Sequence, residues 1–314
     1  MSPIFETPFD PPGEPPPPPP EGYQTAIGII LAVAAGSILF WILKQGHLEH
    51  TSLVFIGIPT VLAILTVRFV PRPRTVTGVI LKAITLALLV SGIVLREGFI
   101  CIVMASPLFI LVGVIIGKIA ETNYWRHTRR GRRILSVSAF SMLSLCSLEG
   151  VLPGFNFSRE ESVTVTRVVD RSASDVAASL ARTPRFDAPL PMFFRARFPR
   201  PARATGEGIK VGDTRAVLFT HAGHHPGILV MRVSRSEPGA VTFDAVSDDS
   251  YIKHWLTWEG ADVTWTAVDA THTRVSWTVR YRRTLDPAWY FKPWERYGAR
   301  LAAGYLITTA AAGS

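Results

Sequence analysis

Cysteine is almost missing: Cys101 and Cys146 are the only two in 314 residues. Two thiols exclude a disulfide framework and a cysteine-rich zinc site, and buried free thiols are expected at both positions. Charge is scarce as well. Asp, Glu, Lys and Arg make up 18% of the chain, against roughly 25% in an ordinary soluble domain. The shortage is uneven, because residues 1–150 hold 12 of the 33 Lys and Arg and 8 of the 24 Asp and Glu. A uniformly soluble chain is thereby excluded, and an apolar content of 48% excludes a disordered one. Catalytic signatures are missing too: no G-x-S-x-G elbow, no H-E-x-x-H, no Walker A and no G-x-G-x-x-G after a strand. That removes the common ATP, NAD and zinc-protease readings, so no cofactor is expected. Enzymes that act by shaping a pocket stay open.

Long uncharged runs take the place of charge. Thr25–Leu43 (19 residues), Thr51–Val67 (17), Thr75–Leu95 (21, with Lys82 its one charge) and Phe99–Gly117 (19) follow in quick succession. A helix needs about 20 residues to cross a hydrocarbon core of about 30 Å, which predicts four spanning helices. A fifth run, Ile134–Leu148, has 15 residues, a length that suits either a short span or a re-entrant segment. Arg68, Arg72 and Arg74 follow the second run, and Lys118, Arg126, Arg129, Arg130, Arg132 and Arg133 follow the fourth. The other two connections carry only Lys44 and Arg96. The positive-inside rule then puts the N-terminus and both basic loops in the cytoplasm. If the fifth run spans, which the six preceding cations favour, the rest of the chain lies outside; if it does not, that part stays inside. The expected membrane region is 23–150, with helices at about 25–43, 51–70, 75–95, 99–117 and 134–150. Gly28, Ala32 and Gly36, and the pair Gly113 and Gly117, predict close helix packing. Lys82 is expected to snorkel towards the headgroups. No second ionisable group at helix-centre depth points to a transporter or pump. Residues 1–22 hold seven prolines between Pro12 and Pro20 among four acids. They read as a disordered acidic tail or a docking segment for a proline-binding module.

From Glu160 the pattern changes to alternation. Ser162–Val168 reads as a strand, and Ser172 as the N-cap of a helix over Ala173–Ala181 with Asp175 completing a capping-box variant. Pro184–Gly208 reads as a long connection. Strands are then expected at Ile209–Thr220, Ile228–Arg235, Ala240–Ser247, Tyr251–Thr257, Asp262–Asp269 and Thr273–Arg283. In the last of these Val275, Trp277, Val279 and Tyr281 share one face, with Arg274, Ser276, Thr278, Arg280 and Arg282 on the other. A C-terminal helix is expected over Pro287–Ala312. This order predicts an α+β layer in which one curved antiparallel sheet is covered by the last helix, with an apolar cavity between them.

The stretches VTVTRVVDRSASDVAASLA at 163–181, FFRARFPRP leading into GEGIKVGDTR, and TRVSWTVRYRRTLDPAWYFKPWERYGARLAAGYL at 273–306 carry a resemblance. In this order the region 158–314 resembles the helix-grip fold of the START, Bet v 1 and polyketide-cyclase-like superfamily, SRPBCC. The whole chain resembles multi-pass membrane proteins that end in such a domain. What the resemblance implies is a hydrophobic cavity for a lipid, sterol, polyketide or similar ligand. It implies no universal catalytic residue.

Six of the eight tryptophans lie between Trp255 and Trp294. The residues expected to line or lid the cavity are Phe193, Phe194, Trp255, Trp265, Trp277, Tyr281 and Trp289, since small-molecule pockets are mainly apolar and aromatic; plain core packing is the alternative for each. Arg195, Arg197, Phe198 and Arg200 mix cations with an aromatic as a membrane-surface contact would, and a lid over the cavity is the equal alternative for this connection. Alternating Arg and Phe also suits single-stranded nucleic acid, but beside a bilayer no nucleic-acid partner is expected. His221, His224 and His225 are the sparse candidates for metal; a solvated hairpin turn is the simpler reading, and no metal site is expected. The function these features predict is membrane-anchored binding, transfer or sensing of a hydrophobic, lipid-like small molecule, without covalent chemistry, in a bacterial cytoplasmic membrane. The partners are the lipid bilayer and that molecule; the oligomeric state is not legible. The alternatives are a cyclase- or aromatase-like enzyme, with a pair such as Asp244 and Arg280 moving protons, and a structural membrane subunit.

Overall fold

The computed structural model describes residues 21–46, 56–69, 75–94, 99–125, 148–151, 157–195, 198–220 and 225–311. The Pro-rich stretch at 1–20 and the expected fifth span over 134–147 lie outside the described residues.

Four helices come first: α1 (Glu21–Gln45), α2 (Ile58–Phe69), α3 (Val76–Val94) and α4 (Phe99–Trp125). They pack around Ala32, Leu62, Ile80, Ile84 and Phe109. The small residues sit where backbones approach. A methyl group on Gly36 would press on Leu62, one on Gly113 would meet Ile84, and one on Gly117 would strike Thr77, including its Cα. The same helices keep Ile30, Leu31, Ile38, Ile42, Val103 and Leu111 exposed, so they are apolar all round rather than on one stripe. Hydropathy predicts that α4 stops at Gly117, yet it runs on to Trp125. The Glu121 carboxylate explains the extension: it accepts from Lys118 Nζ at 3.1 Å and from the Thr77 N–H at 3.0 Å. It thereby satisfies an orphan donor at the start of α3, where a negative charge complements the helix dipole. Among the described residues one stretch, Ile102–Glu121 of α4, is long and apolar enough to cross a membrane; Ile27–Leu39 and Val76–Leu88 are shorter apolar helices.

The second half is one seven-stranded antiparallel sheet. In chain order it contains β1 (Glu160–Val169), α5 (Ala173–Ala181), a helical turn α6 (Met192–Arg195), β2 (Arg200–Thr205), β3 (Thr214–Thr220), β4 (Gly227–Glu237), β5 (Ala240–Asp248), β6 (Leu256–Ala267), β7 (Thr273–Arg283) and α7 (Ala288–Leu306). The spatial order β1-β7-β6-β5-β4-β3-β2 makes β2 to β7 a meander that ends beside β1. The alternation in β7 is realised, with Val275, Trp277, Val279 and Tyr281 all buried. Ser172 caps α5 by accepting from the Asp175 N–H at 3.2 Å, while its hydroxyl donates to the Asp175 carboxylate at 2.7 Å. The curved sheet grips α7, whose Ala299 and Ala303 pack with Val163, Val275 and Leu180 in the main core. This is the helix-grip arrangement.

Three segments differ from the sequence expectation. The strand expected over Ile209–Thr220 begins at Thr214, after a turn at 209–213. β2 falls inside what reads as a connection; it is the sheet edge, where Pro201 costs no ladder hydrogen bond. The separate strands expected at Tyr251–Thr257 and Asp262–Asp269 are instead a 3-10 turn (Tyr251–His254) and one long β6. Its continuity depends on a register shift between Trp258 and Gly260. A side chain at Gly260 would run into the Phe243 carbonyl and the Arg280 guanidinium, so a strand that looks broken in sequence passes through.

Candidate functional site

Between the concave face of the sheet and α7 lies a cavity of about 200 Å³. Its floor comes from strand positions that face inward: Val217 and Phe219 of β3, Met231 of β4, Phe243 of β5, Ala261 of β6 and Val279 of β7. Small residues of α7, Gly298, Ala299 and Ala302, leave the space open. Its mouth is aromatic. Phe193 and Phe198 meet at a tilt with ring centroids 4.7 Å apart, Phe198 and Trp255 are tilted at 5.0 Å, and Phe193 meets Tyr297 edge-on at 5.3 Å. Such pairs fix a lid through their preferred geometries as well as through burial. One wall residue comes from the helices of the first half. Met104 of α4 borders the cavity and clusters with Leu108, Trp255, Leu285 and Phe291. The Tyr290 hydroxyl donates to the Met104 carbonyl at 2.6 Å, and two residues earlier the Ala288 N–H donates to Glu149 at 2.9 Å. The first turn of α7 is thus bound to the Phe99 end of α4.

Few polar groups reach this space. Arg215 enters from β3, buried, with its guanidinium 5.0 Å from the centre of the Phe243 ring. It donates to the Leu180 carbonyl and, at 2.9 Å, to the Gly208 carbonyl. Burial pulls its pKa down to about 10, with Asp213 and Glu207 opposing. Glu295 enters from α7 with 5% of its surface exposed. Burial pushes its carboxyl up to about 8, against the pull of Arg283 and the Leu285 N–H. The indole nitrogens of Trp258 and Trp277 are buried at the cavity without hydrogen-bond partners.

The sequence-predicted residues divide. Phe193, Phe194, Trp255 and Trp277 line the cavity, and so does Phe198, a residue expected to face a membrane. Tyr281 is fully buried behind the wall, opposite Trp258 in the β6–β7 register. Trp265 packs in the core beside the Gly239 turn and is not part of the lining. Trp289 is 53% exposed and sits in a shallow depression with Lys292, Arg296, Tyr297 and Arg300. Arg195 and Arg200 are exposed; Arg195 Nε donates to the Leu190 carbonyl at 2.9 Å. Arg197, His221 and His224 lie outside the described residues, and His225 is exposed. No cluster of metal-ligating side chains occurs among the described residues. Asp244 and Arg280 do form a pair, 2.6 Å apart, with Asp262 on the other side of Arg280 at 3.0 Å. That pair sits on the solvent face of the sheet and does not border the cavity.

Of the cavity residues not singled out from sequence, Glu295, Arg215 and Met104 bear most on its chemistry, and two of them carried a signal. Glu295 falls on the buried stripe of α7, four residues from Phe291 and four from Ala299. An acid on an apolar stripe is the flag. Arg215 occupies an inward position two before Val217 and four before Phe219. Met104 carried none, because its role depends on how α4 meets the sheet.

No family model matches the chain, and no curated protein matches it. Solved structures do resemble it over its second half. A START superfamily protein from Mycobacterium smegmatis is 11% identical, covering 47% of this chain and 94% of its own, with a TM-score of 0.33. The Zhui aromatase/cyclase from a Streptomyces species is 16% identical, covering 49% and 99%, at 0.30. Norcoclaurine synthase from Thalictrum flavum is 11% identical, covering 48% and 86%, at 0.31.

Proposed function

We propose that this chain is a membrane-anchored protein that binds a hydrophobic molecule in its helix-grip cavity and takes it from, or senses it in, the adjoining bilayer. The observation that carries the reading is Met104: an apolar cavity has one wall built by α4, the helix long and apolar enough to span. The all-round apolar surface of α1 to α4 supports a lipid environment, as does the row of Trp289, Trp294 and Tyr297 exposed on the first turns of α7, the residue types of a membrane–water interface. At about 200 Å³ the space is smaller than the roughly 300–1,000 Å³ of common small-molecule sites. It suits a compact or single-chain molecule better than an intact two-chain lipid. The side of the membrane follows from charge and contact together. Arg126 to Arg133 follow the Trp125 end of α4, and the domain binds the Phe99 end. The positive-inside rule then favours an extracytoplasmic domain.

The test is lipid mass spectrometry on organic extracts of the full chain purified in mild detergent, beside the cavity-filling variant Ala302→Phe. The expected result is an apolar compound retained by the wild type and lost from the variant at unchanged melting temperature. Equal retention by both proteins overturns the reading.

A further inference from the structure

The cavity is mostly apolar, and its polar groups are Arg215, Glu295 and the indole nitrogens of Trp258 and Trp277. Glu295 has both carboxyl oxygens buried without a hydrogen bond of ordinary geometry, with the Leu285 N–H as the donor facing it. The other charges facing it have ion-pair partners of their own. From β7, Arg283 is fully buried, its Nη1 donates to the Leu285 carbonyl at 3.1 Å, and its Nη2 stands 3.8 Å from Asp286 without a hydrogen bond. Asp286 in turn pairs with Arg159 at 2.5 Å. From β1, Glu161 holds Lys292 at 2.5 Å and Arg296 at 2.8 Å. Arg215, on β3, donates through Nη2 to the Leu180 and Gly208 carbonyls, while its buried Nε has no partner. The last titratable neighbour, the Tyr281 hydroxyl, is buried and unpartnered, and so is the indole N–H of Trp258 opposite it in the register.

Native interiors rarely leave buried donors and acceptors unmatched, because each orphan forfeits the hydrogen bonds it had in water. Glu295 and Trp258, two orphaned side chains in the lining of one cavity, are matched most simply by a ligand that brings its own oxygen. A neutral carboxyl both donates and accepts, and an indole N–H donates. Their complement is an oxygen that accepts two hydrogen bonds and returns one, which is a hydroxyl. A hydrocarbon leaves both orphaned. A carboxylate ligand sets a second acid against Glu295.

We propose that Glu295 and Trp258 bind the hydroxyl head of an uncharged apolar alcohol whose hydrocarbon body fills the rest of the cavity. This rests on the cavity-binding reading above and narrows it to one ligand class. As a carboxylic acid Glu295 does both jobs; once ionised it only accepts, and the preference for the alcohol over the alkane shrinks as pH rises past the titration of that carboxyl.

The test uses the full chain in detergent with three probes of equal chain length, decan-1-ol, decane and decanoate, scored by native mass spectrometry at pH 6.5 and pH 9. The wild type is expected to take decan-1-ol roughly three- to tenfold better than decane at pH 6.5, the range set by one or two net hydrogen bonds, and decanoate least. Glu295→Leu is expected to bind decane and decan-1-ol equally. Glu295→Gln, which keeps a donor and an acceptor, retains the preference for the alcohol and loses its pH dependence. Undiminished alcohol preference in a folded Glu295→Leu protein overturns the inference while leaving cavity binding standing. Binding of no probe, or binding indifferent to Ala302→Phe, overturns the cavity reading and the inference with it. Thermal melts of both Glu295 variants show whether each is folded.

Discussion

Replacing Glu295 by Gln should change how the stability of the protein depends on pH, whatever the ligand. The Glu295 carboxyl titrates near its ordinary value of 4.5 in the unfolded chain and near 8 in the folded one, because burial disfavours its charge. Between those two values the folded state holds a proton that the unfolded state has released. Folding stability is therefore intact below the lower value and falls as pH rises towards the higher one, at about 1.4 kcal/mol per pH unit. From pH 5 to pH 7 the loss is about 3 kcal/mol. Gln does not titrate, so Glu295→Gln removes this slope. Any constant cost of its unpaired amide leaves the slope untouched, and the shifts of the other buried acids are common to both proteins and cancel. Six of the eight tryptophans lie in the α+β half, so melts followed by tryptophan fluorescence report on that half. At roughly 2–4 °C per kcal/mol for a domain of this size, the gap in Tm between Glu295→Gln and wild type should widen by roughly 6–12 °C from pH 5 to pH 7. Two Tm-versus-pH curves that run parallel would refute the argument, since they would mean that the carboxyl ionises in place or that water reaches it.

Leu180→Ala should lower stability by about 2–5 kcal/mol at every pH, because Leu180 is fully buried under the sheet and the shell around it is already closed; a denaturant titration of the α+β half checks this. In the β6–β7 turn, His272 Nδ1 lies 2.9 Å from the Asp269 carboxylate, which holds the imidazole pKa above its ordinary value. Asp269→Asn should bring the His272 titration, read from its ring NMR signals, back down, and an unmoved midpoint would mean that the contact does not persist in solution. Alkaline phosphatase fused after Ser314 should be active and a fluorescent protein at the same point dark, as an extracytoplasmic domain requires. A bright fluorescent fusion without phosphatase activity would put the cavity in the cytoplasm.

How much of this was legible in the sequence depended on whether a signal carries direction. The face of β7 was legible because a strand has a period of two, and one cysteine-free run of alternating residues fixes which side chains point inward. The cap of α5 was legible because Ser172 and Asp175 satisfy orphan donors wherever they sit. β2 was hidden by Pro199 and Pro201, which read as loop residues until the strand turns out to be an edge. β6 was cut in two by Gly260, whose close approach to Phe243 and Arg280 involves strands distant in sequence. The cavity posed a different problem. Periodicity says which residues face the interior, but whether the facing layers touch depends on summed volumes, and here Gly298, Ala299 and Ala302 leave the gap. Aromatic density was a signal without direction: Trp277 and Trp255 face the space, Trp265 packs elsewhere in the core, and Trp289 faces out. The acid at position 295 had direction, since Phe291, Glu295, Ala299 and Ala303 recur every fourth residue along one side of α7. A carboxyl on that stripe has to be buried, and a buried carboxyl has to be neutralised, paired or matched by a ligand. Lys292 and Arg296 pair with Glu161, and Arg283 faces Asp286 at 3.8 Å, which favours the first and the last of these, and the two belong together: the neutral acid is the form that can donate to a ligand oxygen.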